Sequence, residues 1–103
     1  IYVERCDAPA EGRASDEAKI AAAIPRVAAC FAALAELAQK EGPFLLGAQL
    51  TLADLHLAPM ISLGLRAAEV PPLLMAQPKL ARWWRVMRER PSLAATATRG
   101  AEV

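Results

Sequence analysis

The residues that could carry chemistry in this 103-residue chain are few: one histidine and two cysteines. His56 lies one turn into an apolar run with no serine or carboxylate array beside it, so a packed histidine is favoured over a base or a metal ligand. Cys6 and Cys30 stand in no C-x-x-C or Cys/His spacing, which indicates reduced thiols and no zinc site. We expect Cys30 to be inert beside a buried stripe, and Cys6, in a polar stretch, to be more reactive.

The cluster Arg82-Trp83-Trp84-Arg85 has the residue types of a nucleic-acid contact, because indole rings stack on bases and guanidinium groups bind phosphate. Packing of an amphipathic helix explains the same cluster and is the favoured interpretation. The chain has 12 Lys and Arg against 11 Asp and Glu, and a formal charge of +1 creates no field for drawing in polyanions. We therefore predict no nucleic-acid partner, and no catalytic, cofactor-binding or metal-ligating residue in this chain.

The sharpest local pattern is structural and lies at residues 50–55, Leu-Thr-Leu-Ala-Asp-Leu. Thr51 at a helix N-cap can accept from the backbone N–H of Asp54, while the Asp54 carboxylate accepts from the N–H of Thr51. This reciprocal arrangement is a capping box. Leu50 and Leu55 have the spacing of a hydrophobic staple around the same cap. We predict a helix that begins here.

The elements around this cap are predicted to be helical throughout, because alanine is abundant and β-branched residues are scarce. A long helix is expected over 15–41, with one apolar stripe that repeats at alternating steps of four and three. A central helix is expected over 51–67; it is apolar on every side and therefore buried. Terminal helices are expected over 78–98, the last of them fraying. The fold class is thus an all-α helical bundle that forms a single domain over 1–103.

Membrane and secretory segments are not expected. The charge-free run 55–65 has 11 residues, whereas a membrane span needs about 20. The amino end carries Glu4, Arg5 and Asp7 where a signal peptide would have its apolar core. With two unpaired cysteines, these features predict a cytoplasmic protein that contacts no membrane.

Several motifs together resemble one known family. The run 42–59, GPFLLGAQLTLADLHLAP, is followed by Pro78-x-Leu80-x-x-Trp83-Trp84 and by Arg90-Pro91-Ser92. Over residues 15–93 this pattern resembles the carboxy-terminal helical domain of cytosolic glutathione S-transferases. The resemblance implies that the T-L-A-D box caps the central buried helix of the bundle, and that residues 1–14 are the remnant of a preceding helix and its loop.

The resemblance also implies a function. In that family an amino-terminal thioredoxin-like domain binds glutathione and carries the catalytic Ser, Tyr or Cys, and the helical domain supplies the wall for a hydrophobic substrate. The expected partners are that thioredoxin-like domain, hydrophobic small molecules and a second copy, through a homodimer or self-association. The chain itself would hold no cofactor, and glutathione would be a substrate of the parent enzyme. This chain alone is not expected to be catalytic.

A second class of function shares the same fold. Helical domains of this type also occur in translation factors and some aminoacyl-tRNA synthetases, where they mediate protein–protein contacts without chemistry. The alternative is therefore a non-catalytic interaction module of a translation or scaffold complex. The coding sequence upstream of Ile1 separates the two, because only the enzyme requires a thioredoxin-like segment there.

Overall fold

The computed structural model describes residues 1–97, and it is all-α, as expected: no strand occurs in that part of the chain. A π-helical turn, Val3–Asp7, leads into the short α1, Ala8–Ala10. The remaining helices are α2 Glu17–Leu37, α3 Leu52–Gly64, α4 Val70–Met75, α5 Pro78–Arg88 and α6 Pro91–Thr96. The predicted fraying end from residue 98 onward lies outside the described residues.

Helix α2 is shorter than the predicted 15–41 at both ends. It begins after Asp16, whose side chain accepts from the Lys19 N–H at 3.1 Å, and this acceptor satisfies one of the free donors of the first turn. It ends at Leu37 because Ala38 turns to an extended conformation with ψ of 146°. The next residue, Gln39, then donates its N–H to the Leu45 carbonyl at 2.8 Å instead of continuing the helix.

The apolar stripe of α2 meets the core, with Ile20 and Phe31 buried. Among residues 1–97, α2 is the one helix long and apolar enough, by length and composition, to cross a membrane. The charge-free runs of the sequence do not predict such a helix, because Arg26 and Glu36 lie within α2. Helices α4 and α5 pack against α2, so α2 is part of the helical bundle in this structure.

Helix α3 differs most from expectation, because it is apolar on every side but buried on only one. Its buried residues are Asp54, Ala58, Ile61 and Ser62, which share one face. On the opposite face Leu52 is 82% exposed, Leu55 49% and Met60 61%. The prediction of a fully buried central helix over 51–67 was wrong for this chain, because α5 packs on the Asp54 side while the other side faces solvent.

The segment after α3 also contains a helix that the sequence did not indicate. The sequence Val70-Pro71-Pro72 is typical of a turn, but these residues open α4, where a proline in the first turn removes no helical hydrogen bond. The terminal region contains two helices, α5 and α6. Arg90 is extended before Pro91 with ψ of 126°, as residues before proline prefer, and this separates α5 from α6.

Helix α5 organises the core, since it packs against α2, α3, α4 and α6. Four of its buried side chains are large: Leu80, Trp83, Trp84 and Met87. The residues that meet them come from every other long helix and from the loop 38–50; among these are Phe31, Leu45, Ala58, Ile61 and Leu74. This packing places one face of α5 against Asp54 and the other against solvent.

Candidate functional site

A buried carboxylate joins three elements of the bundle. Asp54 has no solvent exposure, and each of its oxygens accepts two hydrogen bonds. Oδ1 accepts from the Leu45 backbone N–H at 2.9 Å and from the Trp83 indole N–H at 2.8 Å. Oδ2 accepts from the Thr51 N–H at 2.9 Å and from its hydroxyl at 3.3 Å. The carboxylate therefore holds the loop, the start of α3 and α5 together.

The charge on Asp54 survives burial because these donors replace water. Burial, the largest influence, disfavours the charged form, but the hydrogen bonds from Leu45, Thr51 and Trp83 together outweigh it and lower the pKa of Asp54. The reciprocal contacts of a capping box between Thr51 and Asp54 are both present. A carboxylate with all its lone pairs occupied by neutral donors cannot act as a general base without losing them. Its role here is structural.

The predicted staple residues lie in different environments. Leu50 is half-buried and packs against the core. Leu55 is 49% exposed and belongs to the outer face of α3. The staple itself stays a prediction, since no contact that joins the two side chains defines it in the structure.

The loop that contacts Asp54 requires a glycine at one position, Gly42. Its φ is +90°, and a Cβ added there would lie 2.3 Å from the carbonyl carbon and oxygen of Gly47. Phe44 and Gly47 exchange backbone hydrogen bonds at 3.0 and 3.2 Å, which closes a tight turn and directs the Leu45 N–H inward. Only glycine permits both the positive φ and the close approach of the two backbone segments.

The outer face of α3 is exposed and apolar, and we call it the α3 face. It consists of exposed residues at helical spacing, none of which carries a formal charge: Leu52, Leu55, His56, Pro59 and Met60. A contiguous exposed apolar helix face of this kind is typical of a surface that another protein or a ligand covers. His56 is its one ionisable group.

Two expectations about reactive side chains were wrong. His56 is exposed and not packed in a core, because the helix that was expected to be enclosed is covered on one side only. Cys30 is exposed, because it lies off the stripe that α2 turns to the core; Cys6 is half-buried in the π-helical turn. Within the described residues no group of three or more His, Cys, Asp or Glu side chains could hold a metal ion.

The tryptophan cluster splits between core and surface. Trp83 and Trp84 are 3% and 5% exposed, and their ring centroids lie 6.2 Å apart. Buried rings cannot stack on nucleic-acid bases, so the packing interpretation agrees with the structure. Arg82 and Arg85 are exposed on the other side of α5. They border a cleft of 490 Å³ between this helix and the loop 38–45.

The amino-terminal turn is attached to the bundle by a partly exposed ion cluster centred on Arg5. Its guanidinium donates to both oxygens of Glu17, at 2.6 and 2.9 Å, and from Nε to Glu69 Oε1 at 2.6 Å. These hydrogen bonds raise the pKa of Arg5 and lower the pKa values of Glu17 and Glu69. At the same end Arg66 donates to the Tyr2 hydroxyl at 3.2 Å.

Comparison with known proteins identifies a family for this chain. Neither a curated protein nor a solved structure is significantly similar to this chain. A family model described as the glutathione S-transferase C-terminal domain matches residues 5–96. That range includes the Arg5 cluster, the capping box, the α3 face and the α5 core. The chain belongs to the glutathione S-transferase C-terminal domain family.

Proposed function

We propose that this chain is the helical domain of an enzyme that conjugates glutathione to electrophilic, mostly apolar small molecules. The observation that carries the proposal is the α3 face. The Asp54 carboxylate is buried and fully hydrogen-bonded within the protein, whereas this exposed apolar helix surface is free to be covered by a ligand or another protein.

The side chains of the α3 face indicate which part of the reaction this domain would support. A thiolate nucleophile requires a group that stabilises its charge, and the α3 face offers only apolar groups and His56. An apolar face contributes instead by excluding water and by holding the hydrophobic part of a second substrate. We assign thiol activation to a thioredoxin-like domain, as the family generally has, and the apolar wall to this chain. With two free cysteines, we place the enzyme in the cytoplasm.

The α3 face also predicts self-association of the isolated chain. Leu37 at the end of α2 and Leu46 in the loop are exposed as well, at 78% and 59%. Burying such side chains is favourable by about 1.5–3 kcal/mol each when they become fully covered. We propose that the chain alone forms a dimer or larger species through these surfaces. Sedimentation of a dilute sample tests this, and a monomer at all concentrations contradicts it.

The test of the main proposal is the protein encoded by the full reading frame that contains this chain. A thioredoxin-like segment with a catalytic Ser, Tyr or Cys upstream of Ile1 supports the enzyme. The full protein is then assayed with glutathione and a chloronitroarene, while this chain alone is expected to give the uncatalysed rate and no retention on immobilised glutathione. An unrelated upstream domain with no conjugating activity supports the alternative of a non-catalytic interaction module.

The role of the α3 face is tested in the full protein with Leu55→Gln/Met60→Gln. Both substitutions keep a long side chain that favours helix but replace apolar surface with a polar amide. We expect kcat/KM to fall about tenfold or more, since two apolar contacts are lost. Met75→Gln is the matched control, an exposed methionine on α4, and should change kcat/KM less than about twofold. Equal effects of the two variants would refute the assignment of the face.

A further inference from the structure

The solvent side of α5 is strongly cationic. The helix contains four cations and no carboxylate; the cations are Lys79, Arg82, Arg85 and Arg88. The segment 78–90 as a whole has five cations and one carboxylate, whereas the rest of the sequence has seven cations and ten carboxylates. The formal charge is therefore +4 on this segment and −3 on the rest of the chain. A net charge of +1 thus conceals a concentration of positive charge on one helix.

Three of these cations have no partner in the part of the chain that the structure describes. Arg82, Arg85 and Arg88 are exposed, and within residues 1–97 none of them takes part in an ion pair or a side-chain hydrogen bond. Arg85 and Arg88 lie in the last turn of α5, where a cation offsets the negative end of the helix dipole. Arg82 lies too far from that end, and like charges three residues apart destabilise a helix slightly. The packing of the domain does not account for Arg82.

The core holds the backbone of α5 in place beneath these arginines. Trp84 is 5% exposed, and the Trp83 indole donates to Asp54 at 2.8 Å. The positions from which the guanidinium groups extend are therefore fixed before any partner binds, which lowers the entropy lost on binding. With a rise of about 1.5 Å per residue, Arg82 and Arg85 start about 4.5 Å apart along the helix axis. Carboxylates one helical turn apart on another protein have a matching spacing, and a guanidinium group can bind a carboxylate through two parallel hydrogen bonds.

Glu89 indicates which kind of anion this surface fits. It is exposed, its backbone continues the helical direction, and it lies four residues after Arg85 and seven after Arg82, on the same side of α5. A nucleic acid or an anionic lipid surface would present phosphates to Glu89 as well as to the arginines, and this repulsion opposes binding. A protein segment can instead place carboxylates against the arginines and a cation against Glu89. The order of charges on α5 therefore favours a protein partner.

We propose that the solvent side of α5 binds an acidic segment of a partner protein. Two carboxylates of that segment pair with Arg82 and Arg85, and a lysine or arginine of the segment lies against Glu89. Arg88, at the edge of this surface, adds to the attraction. Binding involves neither glutathione nor the α3 face, so it is independent of the enzymatic function proposed above.

The test uses the whole chain and a fluorescent peptide with the complementary spacing, two repeats of Glu-Ala-Ala-Glu-Ala-Ala-Ala-Lys. A second peptide has glutamine in place of every glutamate. We expect the acidic peptide to bind about fivefold more tightly or better at low salt, measured by fluorescence anisotropy, and to shift the amide signals of α5 in a ¹H–¹⁵N spectrum. The preference should disappear in 0.5 M salt, because the ion pairs lie at the surface.

Arg82→Gln/Arg85→Gln should abolish the preference for the acidic peptide, and Arg82→Gln alone should reduce it about twofold. Glutamine favours helix, and both side chains are exposed, so these variants are expected to fold. The matched control for the single variant is Arg26→Gln, which removes an exposed arginine of α2 and should retain the full preference.

Equal binding of the two peptides, or an equal loss in Arg26→Gln and Arg82→Gln, would overturn the proposal. Tighter binding of a thymidine oligonucleotide than of the acidic peptide would also overturn it, because the surface would then fit polyanions. Loss of self-association in the double variant, with unchanged peptide binding, would assign the surface to a second copy of the chain and overturn it as well.

Discussion

Two charge networks hold this domain together, and they differ in almost every physical respect. Asp54 is a single buried carboxylate surrounded by neutral donors from a loop, a cap and a tryptophan. Arg5 is a partly exposed cation between Glu17 and Glu69; its side chain is 30% exposed, that of Glu17 70% and that of Glu69 19%. Solvent screens the second network and not the first. By the number of ion pairs, the Arg5 network would be expected to stabilise the fold more. Because its hydrogen bonds are buried, the Asp54 network is expected to contribute more to the free energy of unfolding.

Removing the buried carboxylate should produce the largest effect. Asp54→Ala leaves the Leu45 N–H, the Thr51 N–H and the Trp83 indole N–H without their acceptor in a dry environment. We expect a loss of about 3–5 kcal/mol in the free energy of unfolding, measured by urea denaturation. This exceeds the value of about 0.5–2 kcal/mol for loss of an exposed N-cap alone. A loss within that lower range would mean that water replaces the missing oxygens.

Removing one donor should have an intermediate effect. Trp83→Phe keeps most of the ring volume but deletes the indole N–H that Asp54 accepts. We expect a loss of about 1–3 kcal/mol, and a pKa of Asp54 closer to its ordinary value because one stabilising donor is gone. Trp84→Phe is the matched control for ring size in the same core. If both variants lose the same stability, packing and not the hydrogen bond accounts for the effect.

The sequence predicted the local half of the Asp54 network and missed its distant half. The spacing of Thr51 and Asp54 is enough to indicate a capping box, because both residues belong to one helical turn. Nothing local indicates that the Leu45 N–H and the Trp83 indole reach the same carboxylate, since those contacts depend on how α5 crosses α3. An aspartate at N3 flanked by apolar residues was the one available sign that the cap is buried.

The exposure of His56 could not be predicted for a related reason. Periodicity tells which side chains share a face, but not how many faces find a partner. Helix α3 is apolar all round, and sequence alone predicted burial on all sides. Family membership was predictable because its motifs lie in caps and turns, where the backbone geometry restricts the residue type.

Acidification should distinguish the Asp54 network from the Arg5 network through a smaller change in stability. The pKa of Asp54 is lowered in the folded state, so its ionised form stabilises the fold at any pH above the unfolded value of about 3.9. That stabilisation is lost as the pH falls from there through the folded-state pKa. The melting temperature of the parent should fall steeply below about pH 4 and that of Asp54→Ala less steeply. If the melting temperatures of the two proteins fall in parallel, other carboxylates account for the loss of stability at low pH.

Removing the ion pairs of Arg5 should have the smallest effect on stability. Arg5→Gln removes all the ion pairs to Glu17 and Glu69, but screened pairs of this kind contribute little. We expect the melting temperature to fall by about 2 °C or less, and the difference to shrink further in 0.5 M salt. A larger, salt-independent loss would show that the amino-terminal turn is held by the partly buried Glu69 contact more firmly than its exposure indicates.

The order in sequence of the partners of Asp54 bears on how the chain folds. Its contacts span 3 residues to Thr51 and 9 to Leu45 on the amino-terminal side of Asp54, and 29 to Trp83 on the carboxy-terminal side, so they close loops of increasing length. The entropy lost on closing a loop grows with the logarithm of its length, and the longest closure exceeds the middle one by about 1 kcal/mol if each forms alone. Once the cap and the turn around Gly42 have formed, the carboxylate is already oriented towards α5. A single side chain thus connects the fastest local event of folding to the docking of a helix far along the chain.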